Sequence, residues 1–445
     1  MSTRTSVSGA VSRTVEGSTE TRGNGVVFAA GSALITLGLL GYYRLVWGSF
    51  GNFLTGIDVW GEPFADFQRY YYPMGKAILE GAAPVDGFVY SPFAALLMAP
   101  FALLPQPAAV MLWGMLQVAA IIVYLWLFRR LVPAPLRLQW LFVALALSSF
   151  PLLHTFKFGQ ITILAALALL FAFLAAGNGA RPAAAGLLAF AVSFKWHPAI
   201  FMAPFAARRD LRILLWAGAA GFALLLAIPV LLLGVPRLVQ FYGALRAVYA
   251  DFDWVLTSYN TQYFPNVIMR VVEAAGLRIH PLLAASVLTG LRVLAWLVVA
   301  TNLVLVFLVQ RARLLHADLW SFHILFLNVP FLLGTSWPVD LVFLPFAQTL
   351  LVWAVSDHNA YEAPQHGSSS EQRRGGRARL ALLLALASMV LSNVILFNLI
   401  GDRTLYGTLG LVFWADLLAL VATYLLLLPA ARRALRVDGE AQNTG

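Results

Sequence analysis

A carboxylate set among tyrosines opens the reading of this chain. Asp66 lies in Asp58-Val-Trp-Gly-Glu-Pro-Phe-Ala-Asp66-Phe-Gln-Arg-Tyr70-Tyr-Tyr-Pro73, directly after the first long apolar stretch. An ionised carboxylate accepts protons and donates none, so beside a membrane it can activate a hydroxyl group. The spacing predicts a short helix that starts at Pro63 and ends at Gly81, with Asp66 and Tyr70 on one face if it survives Pro73. Asp58 is the rival base.

Cationic and hydrogen-bonding residues recur at the ends of later apolar stretches. His154, Lys157 and Gln160 stand in one group, Lys195 and His197 in a second. A lysine at a span end can be an interfacial anchor that snorkels to water. Two such sites with adjacent histidines instead favour an anion site, and a phosphate head group is the anion at hand on a membrane surface. Asn260, Gln262 and Arg270 form a third group suited to sugar hydroxyls and phosphate, since arginine pairs phosphate through two parallel bonds. Asp251-Phe-Asp253 could hold a divalent metal on a diphosphate, but a two-residue pattern reads more simply as a solvated loop. The sequence carries no Gly-Lys-Ser/Thr phosphate loop, dinucleotide fingerprint or His-Glu-x-x-His pair. The absence of cysteine removes disulfides, thiolate nucleophiles and thiolate metal sites together.

The elements that must position these residues are membrane helices. Of the 445 residues 60% are hydrophobic and 11% charged, with mean hydropathy +0.79. Soluble domains carry about 25% charged residues. The apolar runs are continuous rather than alternating, which excludes a barrel. The expectation is an all-α polytopic protein with about 12 transmembrane helices, near 26–47, 108–128, 137–153, 160–176, 182–196, 198–211, 213–233, 282–309, 319–335, 338–355, 380–400 and 405–428. The proline-rich stretch 89–105 reads as a juxtamembrane or re-entrant segment. Net charge is +10, and the arginines sit in short loops, which assigns them to topology rather than to nucleic acid. Both termini are then cytoplasmic in a plasma (inner) membrane. The outer face gathers two long loops, 48–107 and 234–281. Residues 1–25 and 429–445 read as cytoplasmic tails and 356–379 as a flexible loop.

Several islands in order resemble glycosyltransferase family 87, the polyprenyl-phosphate-mannose-dependent mannosyltransferases of the GT-C superfamily. They are Asp66-x-x-x-Tyr70, Ala77-Ile-Leu-Glu-Gly81, Val89-Tyr90-Ser-Pro92, Pro100-Phe-Ala-Leu-Leu-Pro105, Gly159-Gln160, Ala185-Gly186, Lys195-x-x-Pro198, Tyr259-Asn260-Thr-Gln262 with Arg270, and Ser336-Trp337. Together they cover about residues 55–345. Two positions depart from the family pattern. Ser91 replaces the first proline of a Tyr-Pro-Pro element, and Pro338-Val339-Asp340 stands where paired histidines often follow Ser-Trp. No histidine role is carried over there; Asp340 is the residue available to fill part of it.

The resemblance implies a GT-C-like bundle with juxtamembrane helices in its first outer loop, and an inverting transfer of mannose from polyprenyl phosphate to a lipid-linked or envelope glycan. Asp66 would be the general base. Tyr70, Tyr90, His154, Lys157, Gln160, Lys195, His197, Asn260, Gln262, Arg270, Trp337 and Asp340 would line the substrate site, with Lys195, Arg270, Lys157 and His154, in that order, balancing the leaving phosphate. No metal and no cofactor beyond the lipid-phosphate sugar donor is implied; the partners are donor, acceptor and membrane lipid, not nucleic acid. Two other readings remain. A flippase or transporter of lipid-linked glycans should carry its ionisable groups at mid-bilayer in repeated, broken helices, and no repeat is visible. An inactive assembly subunit would explain the departure after Trp337.

Overall fold

The computed structural model describes residues 20–57, 61–250, 258–277, 279–357 and 371–443, and among them the chain is helical with no strand. Asp58, the Asp251/Asp253 pair, residues 1–19 and most of the 356–379 loop lie outside the described residues. The helices are α1 (Glu20–Trp47), α2 (Phe50–Gly56), α3 (Tyr72–Glu80), α4 (Pro92–Ala102), α5 (Gln106–Leu131), α6 (Leu136–Leu147), α7 (Phe150–Phe158), α8 (Thr162–Gly177) and α9 (Arg181–Phe194). There follow α10 (Leu211–Leu233), α11 (Val235–Ala250), α12 (Phe264–Ala274), α13 (Pro281–Arg311), α14 (Ala317–Phe326), α15 (Leu344–Ser356), α16 (Glu371–Leu391), α17 (Val394–Ile400), α18 (Arg403–Thr408) and α19 (Leu411–Asn443).

Among the described residues, six helical stretches are long and apolar enough to cross a membrane, or seven if the bent pair α7–α8 is one span. That fits a polytopic membrane protein; the expected count of about 12 transmembrane helices is not reached by length and apolarity alone. Local chemistry explains the shortfall. The stretch expected at 137–153 breaks at Ser148 and Ser149, where Ser149 caps α7 and Pro151 follows. The one at 319–335 breaks at Asn328–Pro330, and 198–211 becomes a 3-10 turn (His197–Met202) and a five-residue helix, each carrying a proline. α9 has 14 residues. At about 1.5 Å per residue it reaches roughly 21 Å, short of a ~30 Å hydrocarbon core. α4 has 11 residues and is shorter still.

The bundle has two distinct ends. α8 runs away from Gln160 to Gly177, and α9 returns from Arg181 to Lys195. At the far end Arg208 pairs with Asp318, Arg181 with Asp210, and Gln310 bonds Asp318. Arg129 lies over Phe28 of α1, and α5 leads from there back to Gln106, which bonds Gln68. The candidate site residues thus share one end, and basic residues of the short loops share the other.

Candidate active site

The helical segment starts at Ala65 and Asp66, past the Pro63 start expected from the sequence, and continues through α3 to Gly81, whose left-handed backbone (φ 76°) ends it. Glycine adopts that conformation without a Cβ penalty, as expected from the sequence. The segment is not a regular helix. Phe67–Tyr71 form a π turn, closed by the Tyr72 N–H donating to the Phe67 carbonyl. In a π turn residues five apart come into register, which brings Tyr71 as well as Tyr70 within reach of the Asp66 charge. Tyr71, not among the residues expected there, is the one whose hydroxyl joins the Gln160 hydrogen bonds beside Asp66. Just before it Phe64 takes a positive φ of 51°, its N–H held by the Lys157 carbonyl at 2.7 Å. A non-glycine residue there stores strain of order 1–3 kcal/mol.

Gln160 is the hub. α7 and α8 meet at an angle of 119° around Gly159, in the left-handed region at φ 64°. A Cβ on Gly159 would come within 2.8 Å of the Trp113 indole nitrogen, which donates to the Gly159 carbonyl at 2.8 Å. Gln117 holds the Gln160 carbonyl at 3.1 Å. The vertex so fixed points the Gln160 side chain at the acid: its amide N–H donates to Asp66 Oδ2. Its oxygen accepts from Tyr90 at 2.8 Å and Tyr71 at 3.0 Å, and the two hydroxyls lie 2.9 Å apart. A carboxylate only accepts, so the amide can face Asp66 in one sense alone. Asp66 itself is part-exposed, whereas Gln160, Tyr71 and Tyr90 are buried.

Lys195 follows α9 and forms an ion pair with Asp340, whose side chain is 0% exposed while that of Lys195 is 15% exposed. The Asp340 Oδ2 also accepts from the Trp337 N–H at 3.1 Å, which is how the Ser-Trp turn enters the site. The ammonium lies 5.8 Å from the Tyr90 ring, on the same tyrosine that binds Gln160. It has three donors, and one is used on Asp340. Ser91 stands at the N-cap of α4, accepting from the Ala94 N–H at 3.2 Å and donating to the Ser193 carbonyl in α9. A proline there would make neither bond, a physical reason for the departure noted in the sequence.

Other expected ligands stand elsewhere or are committed to the fold. Arg270 is buried, and its guanidinium donates to the backbone carbonyls of Ser258, Thr261 and Gly407. Burial pushes its pKa down to about 10. It orders the 258–261 turn, which places it in a structural role ahead of phosphate binding. Gln262 joins that turn to the site region: its N–H donates to the Ser336 carbonyl at 2.6 Å, and its side chain bridges the Asn260 carbonyl and the Phe413 N–H. Lys157 is buried, with its ammonium on the Glu62 carbonyl. His154 packs on Phe158 at 4.6 Å and His197 beside Trp196 at 6.5 Å, both buried. Tyr70 packs near Gly87, outside the hub.

Tyr71 was not among the expected site residues. The signal that could have found it is Pro73, whose missing N–H disturbs the helical ladder just where the π turn forms. Burial first, then Tyr90 and Asp66, push the Tyr71 hydroxyl well above its ordinary pKa. It is therefore a fixed hydrogen-bond donor and not a base. Tyr70 is likewise raised, by burial and then by Asp66, with Arg69 opposing. Beside the hub lies a cavity of about 330 Å³ lined mostly by apolar residues, Phe88, Phe241, Leu245 and Val248 among them, with Asp86 the one acid in its wall. Its wall residue Phe88 packs edge-on to Tyr71 and Tyr90 at 6.3 and 5.5 Å. The arrangement joins an oriented carboxylate, a part-exposed ammonium and a largely apolar recess, the set needed to deprotonate a hydroxyl beside a lipid-bound anion.

The sequence profile of glycosyltransferase family 87 matches residues 88–336. That stretch contains Tyr90, Gln160, Lys195, Gln262 and Arg270; Asp66, Tyr71, Trp337 and Asp340 flank it. No curated protein and no solved structure matches the chain.

Proposed function

Because the chain belongs to glycosyltransferase family 87, a family of the GT-C type, we propose that it moves a sugar from a polyprenyl-phosphate donor to a glycan acceptor at the outer face of a plasma membrane. The glycosyltransferase activity follows from the family; donor, sugar and acceptor are our reading. Mannose is the sugar that the sequence resemblance implies, and a lipid-linked or envelope glycan the acceptor. Both termini lie in the cytoplasm on this reading, with the site on the opposite side.

The single observation that carries it is the hydrogen-bonded set Asp66–Gln160–Tyr71/Tyr90, adjoining Lys195 and a largely apolar recess. Asp66 removes the proton from the acceptor hydroxyl. The oxygen attacks the anomeric carbon as the bond from that carbon to the phosphate oxygen breaks, and configuration inverts. The electron pair leaves with the polyprenyl phosphate. Lys195 meets the developing charge with donors not spent on Asp340, an interaction strongest in the transition state. Gln160 holds the carboxylate in position; the tyrosines hold Gln160. The recess at Phe88 and Phe241 suits the first prenyl units of the donor.

The test is transfer from radiolabelled polyprenyl-phosphate mannose to a lipid extract by purified protein. Asp66→Asn should lower the rate by about 10²–10⁴, the usual share of a general base, while the protein stays folded in membranes. Near-full activity in that variant would exclude Asp66 as the base. Movement of the donor between leaflets without transfer would instead identify a transporter.

A further inference from the structure

At the end of the bundle remote from Asp66, the α8–α9 turn and the start of α10 frame an open concavity of about 780 Å³. Arg181, Arg208, Arg209 and Arg212 line it, with Asp210 the one acid in the lining. Two of these arginines are accounted for. Arg181 pairs with Asp210 at 3.1 Å, and Arg208 with Asp318 at 2.6 Å. Burial pushes the Asp210 carboxyl up. The Arg181 hydrogen bond, the Ile213 N–H and the nearby guanidiniums outweigh that and hold it below its usual range. Arg209 and Arg212 pair with no acid among the described residues.

Loop arginines that only set topology need no shared cavity. Here two arginines with no carboxylate partner among the described residues line one concavity, and what adjoins them is apolar. Leu211, Leu215 and Trp216 are 65%, 73% and 57% exposed on α10. Leu215 follows Leu211, and Trp216 follows Arg212, by four residues, so each pair shares a helix face. A tryptophan one turn beyond an arginine marks the boundary between head groups and acyl chains. We propose that Arg209 and Arg212 bind the phosphate of an anionic membrane phospholipid, whose acyl chains lie along Leu211, Leu215 and Trp216. Arginine's planar fork matches a phosphodiester's two free oxygens, and a polar lining with an apolar exit fits a lipid better than a soluble anion.

The probes are short-chain phosphatidylglycerol, phosphatidylcholine of the same chain length, and inorganic phosphate, titrated against the full chain in detergent. Arg209→Gln/Arg212→Gln should weaken phosphatidylglycerol binding about thirtyfold, the loss for two arginines near a membrane surface. Phosphatidylcholine, whose choline offsets the charge of its phosphate, should bind the parent more weakly than phosphatidylglycerol, and equal affinity for the two would overturn the anionic-lipid assignment. The control is Arg377→Gln/Arg379→Gln, which removes the same charge from exposed positions of α16 and should leave the affinity intact. Equal losses in both pairs would reduce the effect to diffuse charge and overturn the site. So would inorganic phosphate binding as tightly as the lipid, since the ligand would then be the free ion. Should the double variant fail to fold, Arg212→Gln alone should weaken binding about fivefold, and full retention there overturns the proposal.

Discussion

Tyr71 and Tyr70 are neighbours in sequence with opposite expected fates. Tyr71 donates into the hub that orients Asp66, so Tyr71→Phe should lower kcat about tenfold, the effect of one lost buried hydrogen bond, with donor KM unchanged. Tyr70→Phe should leave kcat within a factor of two of the parent, a value to be read in the same transfer assay. Lys195 allows a sharper separation of stability from chemistry. Lys195→Met strands the fully buried Asp340 carboxylate, which should cost about 3–5 kcal/mol and lower the melting temperature. Adding Asp340→Asn should restore the melting temperature, while transfer stays about 10²–10³ below the parent. At this scale the sequence was informative wherever residue type carried the meaning: a carboxylate, an amide at a span end, a lysine and an aspartate. It was silent on commitment. Nothing in Arg270's identity distinguishes a guanidinium that meets phosphate from one that ties three carbonyls, and the choice of Tyr71 over Tyr70 depends on one inserted π turn.

Helix breaks, more than helices, build the site. The Gly159 vertex brings Gln160 to Asp66, and Gly159→Ala combines a disfavoured φ with a Cβ held against Trp113 and Phe64. Loss of at least about 1 kcal/mol of stability and most activity is expected, checked by thermal unfolding and by transfer. Gly75→Ala tests the next layer out. Its Cβ would come within 2.4 Å of the Met98 carbonyl, so α3 and α4 must move apart, and the Tyr71–Tyr90 contact between their leading segments should loosen. Hydropathy located the apolar stretches well. It could not see that serine, asparagine and proline inside several of them stop the helix halfway, because a window average treats a capped break as one more apolar residue.

The molecule sorts its chemistry between two ends. Because the chain contains no cysteine, the sorting can be measured directly. Gly61→Cys, near the candidate site, and Asn178→Cys, at the arginine-rich end, should react with a membrane-impermeant maleimide from opposite sides of sealed vesicles. Labelling of both from one side would show that the two ends do not face opposite compartments. The basic loops made this polarity readable from sequence, since topology is set by charge counts that need no tertiary contact. The partner of each charge was not readable, because Lys195 and Asp340 are 145 positions apart. That separation also bears on biogenesis. A nascent chain carries Asp66 and Gln160 out of the ribosome long before Asp340 follows, so Lys195 emerges without its counter-ion. Premature termination before residue 340 therefore yields a half-assembled centre, and quality control in the membrane has a bare ammonium to detect.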